Sequence, residues 1–289
     1  MLISPEYDAF LVRTARTVKP YLSQLVFVGG CAGALYTRTS AASSGLKPIV
    51  TKDIDIAGSI GLETPAETLP LAKLMTEAGF AEEFLASAAS SPIVKYVPQD
   101  HDKTFDVEFL CPLRGRRRRH SATKGGGVEI NDGLLAQPLQ YLNILLIDPW
   151  RIDLVEAGLA VEVPERKLLV RIPNPAAYVV QKVLIRDRQR EEAAKRKDCY
   201  YIYTIAVMFR EAIDVLQKCF QAVSAEIHPR WVKRFRCQLA ELFADASAEG
   251  PDAAVEVHRA NMGNDQNFIV NAKTVCTTVQ RLFPAFDPP

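Results

Sequence analysis

No apolar run in this 289-residue chain approaches the roughly 20 residues needed to span a bilayer, which argues against a membrane protein. The N-terminus carries no signal-peptide pattern, so a cytoplasmic location is expected. Charge imbalance is lacking too: Lys and Arg number 35 against 34 Asp and Glu, a formal net charge of +1. No global field pulls the chain toward nucleic acid, and any such binding must come from local patches. Histidine is scarce, with 4 scattered residues, and gives no basis for a zinc site. The 6 cysteines, at 31, 111, 199, 219, 237 and 276, include no C-x-x-C pair and read as reduced core thiols. No internal repeat and no long low-complexity tract is visible. What is left, 48% hydrophobic and 24% charged residues, is globular composition with length enough for two domains.

One stretch stands out from that plain background. Val26-Phe27-Val28 reads as a short apolar strand, Gly29-Gly30 as a turn, and Cys31 to Arg38 as a helix. Thr51-Lys52-Asp53-Ile54-Asp55-Ile56 then reads as a second strand with carboxylates at i and i+2. Alternate strand residues share a face, so Asp53 and Asp55 point the same way with Cα atoms roughly 6.5 Å apart. Two carboxylates so placed do not both ionise cheaply unless a cation sits between them. A pair of Mg²⁺ ions about 3.5–4 Å apart is the common user of such an arrangement in phosphoryl and nucleotidyl transfer. Gly29 and Gly30 lack side chains, so backbone N–H groups can approach a triphosphate there. The helix behind them aims a partial positive charge at the same place. A Gly-Gly pair alone is a turn, and Asp-x-Asp alone is a common strand end; their order is what points to a nucleotide.

A third acid is available on another strand. Thr104 to Leu110 alternates, with Asp106 and Glu108 on one face and Phe105, Val107 and Phe109 on the other. As a neighbour of the Asp53–Asp55 strand it would bring a further carboxylate, Asp106 or Glu108, to the same metal cluster.

With these residues in view the chain resembles nucleotidyltransferases of the DNA polymerase β superfamily, and among them the AbiEii-type toxins of type IV toxin–antitoxin systems. VFVGG followed by TKDIDIA matches the family's strand, Gly-Gly or Gly-Ser, helix and Asp-x-Asp strand. The resemblance implies Asp53, Asp55 and Glu108 as metal ligands, because Val107-Glu108-Phe109-Leu110 with Pro112 matches the strand of the third acid. It implies Gly29, Gly30, Thr51 and Lys52 as nucleotide contacts, Mg²⁺ or Mn²⁺ as cofactor and an NTP as substrate. Downstream, Lys182, Arg186 and Lys197-Asp198 match a family pattern of helix lysine, Arg-rich turn and Lys-Asp. These imply cations on the phosphates and an acid that orients a lysine or binds the acceptor hydroxyl. The similarity touches residues 26 to about 205 in separated patches. It departs in a longer gap from Gly30 to Asp53 and in Glu where Asp is the commoner third acid.

The pattern along the chain divides it into an α/β (α+β) part over residues 1–174, which the resemblance implies is a nucleotidyltransferase core with a mixed sheet, and a helical domain over 175–289. Period-two strands give way to helical periodicity near Pro173–Pro175: Ala176 to Arg186, Glu191 to Lys218, Pro229 to Ala246 and Ala272 to Phe283. Upstream, Glu6 to Lys19 and Leu69 to Gly79 read as helices. Ile93 to Val97, Val128 to Ile130, Ala160 to Val163 and Leu168 to Ile172 read as strands. Two basic clusters are candidate phosphate contacts. Arg114-Gly115-Arg116-Arg117-Arg118-Arg119 is a solvated hairpin loop or an arm for the phosphates of RNA or nucleotide. Lys182, Arg186, Lys195 and Lys197 form a charged helical surface or the second wall of the site.

The reading is an enzyme that moves an NMP from an NTP to an acceptor hydroxyl with release of pyrophosphate. The acceptor is open among an RNA (tRNA) 3′ end, a protein hydroxyl and a small molecule; a cognate antitoxin is an implied partner. Two alternatives stand beside it: a catalytically silent nucleotidyltransferase-like binding protein, and a Rossmann-type dinucleotide-binding domain, whose glycines and following acid Gly29, Gly30, Gly33 and Asp53 imitate.

Overall fold

The computed structural model describes residues 4–42, 49, 52–85, 93–99, 105–113, 126–159, 166–187, 191–262 and 270–286. The chain divides into two compact units, one of Ile3–Leu35 with Val50–Pro173, the other of Met1–Leu2, Tyr36–Ile49 and Asn174–Pro289. The first is built on a mixed sheet and the second is helical, the α/β class that the alternating and 3.6-residue patterns lead one to expect.

In the sheet unit, α1 (Pro5–Thr17) starts on the Ser4 side chain, which accepts from the Tyr7 N–H, with Pro5 at the first helical position. The strands are β1 (Val26–Val28), β2 (Asp53–Ala57), β3 (Phe80–Leu85), β4 (Ile93–Pro98), β5 (Asp106–Pro112), β6 (Val128–Asn131) and β7 (Leu134–Leu139). Helix α2 (Gly29–Tyr36) follows β1 directly, and α3 (Leu71–Glu77) precedes β3. The sheet runs β1-β2-β5-β4-β3, with β7 beside β5 and β6 beside β7. Strands β2 and β5 are parallel, whereas β1 is antiparallel to β2. That antiparallel pair excludes the dinucleotide-binding alternative, whose first two strands must run parallel around the phosphate-binding helix.

Alternation decides which face of β2 and β5 enters the core. Ile54, Ile56, Val107 and Phe109 are almost fully buried, each contributing about 1.5–3 kcal/mol of hydrophobic stabilisation. The acids between them are left on the opposite face. One part of the core joins Val26, Val28, Ala57 and Leu110 to Leu142 and Leu145 of a 3₁₀ turn. Phe105 stacks on Phe10 of α1 at 5.2 Å between ring centroids. A separate antiparallel hairpin pairs β8 (Trp150–Asp153) with β9 (Leu169–Ile172). The strand expected at Ala160 to Val163 lies outside the described residues.

The helical unit begins where Asn174 caps α4 (Pro175–Leu184): its side chain accepts from Ala177 N–H at 2.8 Å, with Pro175 at the first position. It continues with α5 (Glu192–Met208), α6 (Ile213–Glu226), α7 (Pro229–Leu242), α8 (Glu249–Met262) and α9 (Ala272–Gln280). The single helix expected over Glu191 to Lys218 is two. Phe209 is fully buried and leaves helical geometry, and Ala212 N–H turns back to the Phe209 carbonyl at 3.0 Å. Helix α8 has no counterpart in the sequence reading, and it carries Gly250 and Pro251 in its first turn. Proline is tolerated in a first helical turn. Gly250 is needed there because a Cβ would stand 2.5 Å from the Leu242 carbonyl oxygen and 2.8 Å from the Phe243 ring.

Candidate functional site

The register of two parallel strands assembles the acidic face. Asp53 is opposite Asp106 and Asp55 is opposite Glu108, on strands that lie about 4.8 Å apart. All four acids are partly buried, on the side away from Ile54, Ile56, Val107 and Phe109. Gly29 closes one end of this face. It holds φ +65°, a left-handed conformation, and a Cβ built on it would stand 2.2 Å from Asp55 Oδ2. The glycine turn thus does more than free backbone amides; it makes room for the second carboxylate of the Asp-x-Asp strand. Gly30 is buried in the first turn of α2.

A cation already stands on the far side. Lys95, on β4, is the cross-strand partner of Glu108. Its ammonium lies 2.6 Å from Glu108 Oε1 and 3.3 Å from Asp106 Oδ2. Burial draws the Lys95 ammonium down, but the hydrogen bond and charge of Glu108, with those of Asp106, outweigh it and push the group to about 12. Both acids nevertheless shift upward as well. Burial raises Glu108; Lys95 opposes the rise, and Asp53 and Asp106 add to it. Burial raises Asp106 likewise, against Lys95 and with help from Asp53 and Glu83. Burial thus outweighs the Lys95 charge at both carboxyls.

Among the described residues no group of three or more His, Cys, Asp and Glu side chains is arranged to hold a metal ion as it stands; the Lys95 ammonium takes up Asp106 and Glu108. The donors fit a hard divalent cation all the same: every one is a carboxylate oxygen, as Mg²⁺ and Mn²⁺ prefer. The gathering of four carboxylates on one face and the space that Gly29 leaves beside Asp55 fit it too. Cys31, in the first turn of α2, has no part as a nucleophile, because burial and then the neighbouring charge of Asp55 push its thiol up to about 12.

The other expected residues lie in the helical unit, apart from Thr51 and the run Arg114 to Arg119, which fall outside the described residues, and Lys52, which is exposed just before β2. Lys182 on α4 and Asp198 on α5 form an ion pair of 3.0 Å, with Asp198 only 1% exposed. The Lys182 ammonium also sits over the rings of Tyr201, at 5.1 Å, and Tyr178, at 5.4 Å. Lys197 is exposed and points elsewhere, since consecutive helical residues do not share a face. Arg186 donates to the Lys195 carbonyl at 2.8 Å and to Cys199 Sγ at 3.1 Å, and pairs with Glu249. Sequence reasoning did not find Lys95 or Tyr201; Tyr178, one turn before Lys182 on α4, lies in the stretch that the resemblance covers. The places of Lys95 and Tyr201 depend on strand pairing and helix packing, and no local pattern marks them.

A family model described as Nucleotidyltransferase matches residues 15–224, most of the chain, so the chain belongs to that family. No curated protein matches it.

Proposed function

We propose that this member of the nucleotidyltransferase family moves a nucleoside monophosphate from an NTP to an acceptor hydroxyl, with Mg²⁺ or Mn²⁺ as cofactor. The observation that carries the reading is the strand register, which sets Asp53 beside Asp106 and Asp55 beside Glu108 with Gly29 against Asp55. In the transfer, the acceptor oxygen bonds to the α-phosphorus while the bond from that phosphorus to the bridging oxygen breaks. The electron pair leaves with pyrophosphate, and the hydroxyl proton departs toward the acidic face. Asp53, Asp55 and Glu108, with Asp106 beside them, would hold the divalent ion, which would supply charge neutralisation and a more acidic hydroxyl. The N–H groups of Gly29 and Gly30, with Thr51 and Lys52, hold the phosphates. Lys182 and Arg186 would supply further positive charge, Asp198 would fix the direction of the Lys182 ammonium, and Lys197, which faces another way, would add only a more distant charge.

The finer resemblance to AbiEii-type toxins supports a cytoplasmic enzyme whose acceptor is an RNA such as a tRNA 3′ end, or a protein, and whose activity a cognate antitoxin restrains. Incubation with each labelled NTP, Mg²⁺ or Mn²⁺ and either total RNA or lysate protein tests this: label should enter one fraction with stoichiometric pyrophosphate. A second reading, a nucleotide-binding protein without catalysis, draws support from the ion pair of Lys95 with Glu108. Nucleotide binding with no metal-dependent consumption of any NTP favours that reading.

A further inference from the structure

The β8–β9 hairpin carries an arrangement that the transfer reaction does not use. Arg151 and Arg171 are direct cross-strand partners, so their side chains leave the ladder on the same face. Like charges placed so are destabilising in the absence of a counter-charge. Both line a concave site of about 410 Å³ together with Lys19 and Lys167, and among the described residues that line it none is acidic. Asp153, on the same hairpin, is turned to the backbone N–H groups of Val155 and Leu168, at 3.0 and 3.1 Å. Arg171 is oriented in advance, because its guanidinium donates to the Ser23 carbonyl. Burial, and then the charge of Arg151, hold it below the ordinary arginine value. The net charge of the whole chain is only +1, so four cations facing one hollow is a local feature.

The chemistry that fits is a phosphate group. Guanidinium forks bind tetrahedral oxyanions in bidentate fashion, and an ammonium adds a point charge. The hollow is larger than a lone phosphate needs, and Leu22, Leu168 and Leu169 supply part of its wall, which suits the sugar and base attached to such a group. We propose that Lys19, Arg151, Lys167 and Arg171 form a second, metal-independent site for nucleotide phosphate, either of a free nucleotide or of an RNA strand.

Binding of AMP and of a short single-stranded RNA oligonucleotide would be measured in EDTA, by calorimetry and fluorescence anisotropy, across a salt series. EDTA keeps the acidic face out of the measurement, so failure here is separable from failure of the catalytic reading. Binding of either probe to the parent, weakened in Arg151→Ser with Lys167→Ser, supports the site. For RNA the salt slope should become shallower by about 0.7 per lost contact. RNA without AMP identifies a strand site, and AMP without RNA a site for free nucleotide. Both changed residues are exposed, and Lys19→Ser, on a different element, should weaken binding of the same probe if the double variant fails to fold. A parent that binds neither probe overturns the proposal, as does a double variant that binds both with parental affinity and slope.

Discussion

Lys95 Nζ lies 2.6 Å from Glu108 Oε1, across the antiparallel β4–β5 pair that also brings the lysine to Asp106. The pair is three-quarters or more buried, and it stands among carboxylates that repel one another. Its removal should be felt first as lost stability. Lys95→Met should lower stability by about 1.5–3 kcal/mol, the range for a hydrogen bond to a charged group, measured by thermal unfolding in EDTA. Mn²⁺ should restore more stability to the variant than to the parent, because the acids then lack their resident cation. Equal responses to Mn²⁺ would show that Lys95 and the divalent ion do not serve the same charges.

The Asp-x-Asp pair predicts a different pattern. Asp53→Asn or Asp55→Asn should abolish NMP transfer, a fall on the order of 10²–10³-fold or more, while thermal unfolding in EDTA stays at or above the parental midpoint. Each change removes negative charge from a crowded face and leaves Ile54 and Ile56 in the core. Full activity in either variant, assayed by pyrophosphate release, would sink the role given to the pair.

Glu108 gives a pH test whose sign follows from the direction of its shift. A carboxyl raised in the folded protein costs stability in its charged form. That cost is absent below its ordinary value of about 4.3 and is incurred as pH rises through the raised folded value. Glu108→Gln should therefore stabilise the metal-free protein near pH 8, and the advantage over the parent should shrink as pH falls toward 5. The same variant should lower turnover more than NTP affinity, and Asp106→Asn should do less. The reverse order of severity in kinetics would move the ligand role from Glu108 to Asp106.

How much of this was legible in the sequence depends on the distance over which each relationship is set. The acidic faces of β2 and β5 could be read because alternation is a local, period-two property. Their adjacency came only with the fold, as did Lys95, whose meaning rests on a register between β4 and β5. In the helical unit, adjacency in sequence drew attention to Lys197 and Asp198. Asp198 is buried against Lys182 and Lys197 is exposed, since helical neighbours diverge and residues from separate helices meet. The glycine of Gly250-Pro251, at the start of α8, has a related origin: the packing that requires it comes from the Leu242 carbonyl at the end of α7 and from the Phe243 ring that follows.

Gly29 separates backbone freedom from crowding. Gly29→Ala places a methyl 2.2 Å from Asp55 Oδ2 at positive φ, so Asp55 must move. Gly133 also has positive φ, +77°, but open space around it. Gly133→Ala should cost about 1–2 kcal/mol, the left-handed penalty alone, and leave transfer unchanged. Gly29→Ala should cost more and also weaken Mn²⁺ binding, measured by titration calorimetry. Equal stability losses with parental Mn²⁺ binding in both would mean that Asp55 needs no room beside Gly29.

The Lys182–Asp198 pair yields the largest expected stability effect. Asp198 is only 1% exposed and Lys182 12% exposed, so removing one charge leaves the other buried without its partner. Such a loss costs about 3–5 kcal/mol, whereas replacing both members by apolar groups is often close to neutral. Asp198→Asn should thus lower the unfolding free energy by several kcal/mol, although the rings of Tyr178 and Tyr201 keep part of the Lys182 charge satisfied. The double variant Lys182→Met with Asp198→Leu should regain much of that stability, read from urea unfolding midpoints. It should remain inactive, because the ammonium proposed for the phosphates is gone. A double variant that is as active as the parent would make the pair a purely structural tie between α4 and α5. If it is as unstable as Asp198→Asn instead, the cost lies in packing around Asp198 and not in an abandoned charge.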